Sequence, residues 1–179
     1  MNPLFYVHRF EPGTKAGAPP VLLLHGTGGN ENDLLPLGRQ LAPGSALLSP
    51  RGDVSEHGQP RFFRRFAEGV FDLADVARRT QALADFIITA GAEYGFSPSQ
   101  LTALGYSNGA NIAASLLLLR PEVLARAVLL RPMVVLEPER LAGQFRLAGA
   151  RVELHWLEAG HQLTGSDFAH AAKFLGTKP

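Results

Sequence analysis

The 179-residue chain contains no cysteine. That excludes disulfides, a thiol nucleophile and thiolate metal sites, and leaves the cytoplasm as the default compartment. No charge of one sign dominates: 17 basic residues face 16 acidic ones, for a net charge of +1. Such a balance gives no reason to expect nucleic acid or an anionic membrane as partner. Long apolar runs are missing too, the longest, near Leu116 to Leu119, ending at Arg120, so no stable membrane insertion is expected. The first ten residues, MNPLFYVHRF, lack the apolar core of a signal peptide. There is no H-E-x-x-H and no clustered His/Asp set, which disfavours a metal hydrolase. Neither internal repeats nor low-complexity segments occur. With 46% hydrophobic residues, the chain can bury the core of a single domain spanning 1–179.

One stretch organises the rest. Leu101 to Asn111 reads LTALGYSNGAN, in which Leu101 to Gly105 fits a strand and an alanine- and leucine-rich helix follows a sharp turn at Ser107. Gly105-Tyr106-Ser107-Asn108-Gly109 matches G-x-S-x-G, the nucleophile elbow. The chemistry explains the spacing. A serine on a strained strand-to-helix turn projects its hydroxyl, and the flanking glycines let strand and helix pass closely. The helix N-terminus then offers free amides to an oxyanion. The bland alternative is a tight βα turn whose serine only caps the helix.

Around that stretch, apolar strands alternate with amphipathic helices. Leu4 to Phe10 fits an edge strand, and Glu11 to Pro20 is a Pro/Gly loop. Val21 to Leu24 is a strand buried on both faces. It ends in His25-Gly26-Thr27-Gly28-Gly29-Asn30, where the Thr27 amide is the expected second oxyanion donor beside Asn108, and an ordinary flexible turn is the alternative. His25 is read as a buried, loop-shaping residue. A short helix over Asp33 to Leu41 and a strand over Ala46 to Ser49 come next. Pro50 to Ala67 is a long connection containing Arg61-Phe62-Phe63-Arg64-Arg65-Phe66, which either shapes an acyl or alcohol pocket or packs its phenylalanines inward with solvated arginines.

Asp72 to Tyr94 is the clearest amphipathic helix, with Leu73, Val76, Ala77, Thr80, Leu83, Ala84, Ile87 and Ile88 at three- and four-residue steps. Beyond the elbow and its helix, Ala127 to Val135 reads as a buried strand. A helix with Leu141, Phe145 and Ala148 on one side follows, then Val152 to Leu157 as the last strand, and a final helix capped by Ser166. The alternation predicts an α/β fold with a doubly wound, mostly parallel sheet.

His161 follows Gly160 just past the predicted last strand, on the sheet edge where Ser107 must also lie. Serine before histidine agrees with the order Ser…acid…His, and in that role His161 is the base that takes the Ser107 proton. Several motifs together now resemble the bacterial phospholipase/carboxylesterase family of α/β-hydrolases, relatives of acyl-protein thioesterases. They are His25 to Asn30 with Asp33, Pro50-Arg51-Gly52, Pro60 to Gly69 (PRFFRRFAEG), Gly105 to Asn111, and Glu153-Leu154-His155-Trp156 with Gly160-His161. The resemblance covers nearly the whole chain. It implies a serine hydrolase without cofactor or metal, acting on small short-chain carboxylic esters, thioesters or lysophospholipids, and it suggests homodimers.

One departure stands out. The family carries its triad aspartate on a strand between elbow and histidine, yet no aspartate occurs here from Asn108 to Gly160. A missing unit of roughly 20–30 residues, about one βα repeat, would explain it. Among the glutamates, Glu122 lies at the wrong end of the sheet, Glu153 lies inside a strand, and Glu158 matches no acid position. Glu137 stands just past a strand end and respects the chain order, so it is the candidate acid, with a solvated loop residue before Pro138 as the alternative. A catalytically impaired hydrolase-like protein that binds a ligand or partner in the same cleft is the competing expectation. With the interior unit absent, the strand over Val152 to Leu157 is expected beside the strand over Ala127 to Val135.

Overall fold

Four consecutive apolar residues with no polar alternation, Val21–Leu24 (β2), belong in a sheet covered on both faces, and all four are buried. The computed structural model describes residues 4–132, 138–147, 149 and 151–176. In it β2 lies at the centre of a five-stranded sheet with His8–Glu11 (β1), Leu47–Pro50 (β3), Thr102–Tyr106 (β8) and Arg126–Leu130 (β9). The spatial order is β1-β3-β2-β8-β9; β1 pairs antiparallel with β3, and every other pairing is parallel.

Alternation along each strand sends side chains into two cores. Leu22, Leu24, Leu48 and Ala103 join Leu83, Phe86 and Ile87 of the long helix Leu73–Tyr94 (α2), together with Ile112 and Leu116 of Asn108–Leu119 (α3). Val21, Leu23, Leu47 and Leu104 face the other way, toward Leu35 and Leu41 of Leu35–Leu41 (α1) and Ala171 and Ala172 of Gly165–Leu175 (α5). The sheet is therefore covered by helices on both sides, as the alternation of elements predicts.

Several boundaries differ from expectation for identifiable reasons. The first strand begins at His8 and not Leu4, where pairing with β3 begins. Asp72 is the cap of α2 and not its first residue, its carboxylate accepting from the Asp75 amide at 3.0 Å. On that helix Leu73 and Ile88 face solvent, while Phe86 and Ala90 take the inward places. The long connection is not irregular: Val54–Glu56 (β4) pairs with Gln59–Arg61 (β5), and Arg65–Ala67 (β6) with Val70–Phe71 (β7). His57 and Gly58, with φ of 52° and 81°, supply the two positive dihedrals that a tight hairpin turn between β4 and β5 needs.

The C-terminal third departs most. The strand predicted to reach Val135 ends at Leu130, where Arg131 turns to φ 50°. Residues 133–137 lie outside the described residues. The expected helix forms over Pro138–Leu147 (α4), with Phe145 buried as predicted but Ala142 in the inward place of the half-buried Leu141; Ala148 lies outside the described residues. Val152 to Leu157, however, is not a strand and pairs with no other among the described residues, so β9 is the outer strand of the sheet there. The final helix is capped by Thr164 instead of Ser166: the Asp167 carboxylate accepts from the Thr164 amide at 2.8 Å and from its hydroxyl at 2.7 Å. Arg131 joins this cap, its guanidinium donating to Asp167 at 2.7 Å and tying α5 to the end of β9.

Candidate active site

Ser107 sits between β8 and α3 at φ 52° and ψ −112°, a conformation that L-residues seldom adopt. Its neighbours enforce the turn. A methyl group on Gly109 would lie 2.0 Å from the Leu24 carbonyl oxygen, and one on Gly105 would lie 2.5 Å from the Gly109 oxygen. Only hydrogen at both positions lets α3 start this close to β2 and β8. The Ser107 amide donates to the Leu130 carbonyl at 2.9 Å, which fixes the elbow to β9. The amide of Asn108, as the first residue of α3, has no intrahelical acceptor.

His161 meets the serine where sequence order places it: its Nε2 lies 2.9 Å from Ser107 Oγ. The segment that carries it is exposed from Glu158 to Gln162. Tyr106 steadies that segment, its hydroxyl donating to the His161 carbonyl at 3.1 Å while the two rings stand 5.5 Å apart. A side chain at Gly26 would strike the Tyr106 ring at 2.9 Å, so this glycine makes room for the tyrosine. Among the described residues no carboxylate bonds to the other ring nitrogen of His161. Glu137, the sequence-derived candidate acid, lies outside the described residues.

The loop after β2 stands against the elbow, since a methyl on Gly26 would also lie 3.5 Å from Ser107 Cβ. His25 shapes this loop from below. Its Nδ1 donates to the Gly26 carbonyl at 2.6 Å and its Nε2 accepts from the Gly52 amide at 2.9 Å, so both nitrogens are committed to a neutral tautomer. Burial holds the imidazole below its usual value, with the Gly26 carbonyl opposing. The amide of Thr27 is not spent in backbone pairing among the described residues. A cleft of about 450 Å³ opens beside the loop, lined by Gly26, Thr27, Gly28, Tyr106, Gln162 and Leu163 among others.

The aromatic and arginine run divides. Phe62 and Phe63 are fully buried, as the packing alternative has it, whereas Phe66 is 77% exposed. Arg61 is not solvated at all: it is 2% exposed, donates to the Thr27 hydroxyl at 2.7 Å and pairs with Glu56 at 3.2 Å. Sequence reasoning gives no individual role to Tyr106 or Arg61. The only hint for Arg61 is its place directly after Pro60 in the PRFFRR run. Among the described residues no group of His, Asp and Glu is arranged to hold a metal ion, and no helix is long and apolar enough to cross a membrane.

No family model matches the chain. It is, however, 42% identical to a Bacillus subtilis (strain 168) protein named "Putative hydrolase MhqD", over 93% of this chain and 96% of that protein. That alignment runs over 194 positions, more than the 179 residues present here, so part of the relative faces no residue of this chain. The carboxylesterase of Bacillus cereus superposes with a TM-score of 0.89 at 41% identity, covering 94% of this chain and 92% of its own. A carboxylesterase from Mesorhizobium loti gives a TM-score of 0.82 at 31% identity, with 90% of each chain covered. By sequence and by fold, the chain belongs to the phospholipase/carboxylesterase-like family of α/β-hydrolases.

Proposed function

We propose that this hydrolase is a serine carboxylesterase acting on short-chain carboxylic esters through an acyl-enzyme, with thioesters and lysophospholipids as related substrates. The observation that carries the reading is the 2.9 Å approach of His161 Nε2 to a serine held at φ 52°. In this mechanism His161 takes the hydroxyl proton as Ser107 Oγ attacks the ester carbonyl. The amides of Thr27 and Asn108 receive the developing oxyanion, and the proton passes to the leaving alcohol. Water then repeats the sequence on the acyl-serine, with His161 as its base. Glu137 is the acid of the scheme by chain order, holding the imidazole tautomer. The natural relatives called carboxylesterases support the reaction class.

The absence of a carboxylate on the second His161 nitrogen, among the described residues, favours one competing reading: a hydrolase-like binder with little turnover. Hydrolysis of p-nitrophenyl butyrate and labelling by a fluorophosphonate distinguish the two. The esterase reading expects one label per chain at Ser107, with both label and turnover lost in Ser107→Ala. Labelling at another serine, or no turnover by the parent, overturns it. Glu137→Gln is expected to lower turnover by up to roughly 10⁴, the cost of uncharging a triad acid. Parent-like rates in that variant reject Glu137.

A further inference from the structure

The oxyanion amides assigned above come from two separated pieces of chain, the loop after β2 and the first turn of α3. Something must hold them in register, because a misplacement of about 1 Å at such donors can cost on the order of a hundredfold in rate. Three consecutive residues at the end of β5 contact both pieces. The Pro60 carbonyl accepts from the Gly28 amide at 3.0 Å. The Arg61 guanidinium donates to Thr27 Oγ1 at 2.7 Å. The Phe62 amide donates to Asn108 Oδ1 at 2.8 Å. We propose that Pro60-Arg61-Phe62 is a single brace that registers the two halves of the oxyanion hole, with Arg61 the positioning residue that acts through Thr27. The inference rests on the esterase reading.

Arg61 is not merely a countercharge for Glu56. That carboxylate already receives three bonds from Arg65, between 2.7 and 3.1 Å. Burying a guanidinium almost completely is unfavourable unless its donors are used in fixed directions. Here Nε is tied to the Phe63 carbonyl at 3.2 Å while Nη1 reaches Thr27, so the planar guanidinium links its own segment to the loop. The brace has no slack behind it. A methyl on Gly52 would lie 2.3 Å from the Arg61 carbonyl carbon, and the Gly52 amide is bonded to His25. The His25 and Phe62 rings pack 4.8 Å apart, closing the circuit from β5 back to the loop. On the elbow side, Asn108 spends its side-chain oxygen on the Phe62 amide and leaves its own amide for the ligand.

The test uses Thr27→Val, which removes the hydroxyl but keeps the amide and the shape, and Arg61→Lys, which keeps the charge but loses the fork. Each is expected to lower kcat on the order of tenfold with KM within twofold, less than the 10²–10³ that follows outright removal of an oxyanion donor. Affinity for a trifluoromethyl ketone, which forms a tetrahedral adduct on the serine, should fall in parallel with kcat. Because both substitutions break one contact, the double variant should be no slower than the slower single one. Unchanged kcat with lowered thermal stability, or additive losses in the double variant, overturns the proposal. The reading beneath it fails separately, if the parent takes no fluorophosphonate label. Hydrogen exchange then judges the brace alone: faster exchange at the Gly28 and Phe62 amides, which the brace holds, in both single variants supports it, and parent-like exchange there overturns it.

Discussion

Ser107 holds its hydroxyl in place at a cost in backbone strain of about 1–3 kcal/mol, typical for a non-glycine residue in such a region. Glycine at this position would relieve the strain, partly offset by roughly 0.5–1 kcal/mol of extra chain entropy. Ser107→Gly should therefore lose all esterase activity yet unfold a few degrees higher by calorimetry, at about 2–4 °C per kcal/mol for a chain of this size. His25 gives the pH dependence its sign. Burial lowers its folded value below the ordinary 6.5, so below that pH the unfolded chain binds the additional proton and folding weakens. Urea midpoints should fall from pH 7 to pH 5, and His25→Gln, which keeps an acceptor for Gly52 but cannot titrate, should flatten that slope. A slope equal to that of the parent would place the effect elsewhere. The meeting of His161 with Ser107 was legible from the elbow glycines and the chain order, although the strand expected to end just before His161 does not form. Arg61 was not, since nothing in an arginine-rich run distinguishes a buried guanidinium from a solvated one.

Elements of the central sheet were legible where their neighbours are present, whereas the short hairpin strands β4 to β7 were not. The strands β2 and β8 follow from apolar runs that need cover on both faces, and α2 from its period. Val152 to Leu157 has the composition of a strand, but strand preference becomes a strand only when a partner supplies the ladder, and β9 does not lie alongside it. Close packing of the elbow makes a strong prediction at this scale. Gly109→Ala places a methyl 2.0 Å from the Leu24 oxygen, against backbone that cannot yield, so the variant should fail to give a cooperative thermal transition. The other end of the site depends on how α5 is docked. Burial would raise the Asp167 carboxyl, yet the Thr164 bonds and the Arg131 charge outweigh it and hold it below its ordinary value. Its contribution is thus present above the carboxylate range and fades in acid. Removing one partner of a buried pair costs about 3–5 kcal/mol. Some of that is lost to partial exposure, so Asp167→Ala should lower the urea midpoint clearly and reduce turnover by loosening the His161 segment. Activity unchanged at full stability would show that α5 does not hold the His161 segment.

At the scale of the whole molecule, Ser107 and His161 belong to regions of different cohesion. Ser107 is buried on the turn between β8 and α3, whereas residues 153–156 and 158–162 are exposed and form no regular element. Limited trypsin digestion should cut first near Arg151, and the pieces should stay together because α5 is docked through Ala171, Ala172 and the Arg131–Asp167 pair. Early cleavage inside α2, after Arg78 or Arg79, would contradict this view. A nick in that strap would leave the serine on one polypeptide and the histidine on another, with no covalent link between them. Such a split protein would make ester turnover a direct report of whether two separately expressed fragments have met.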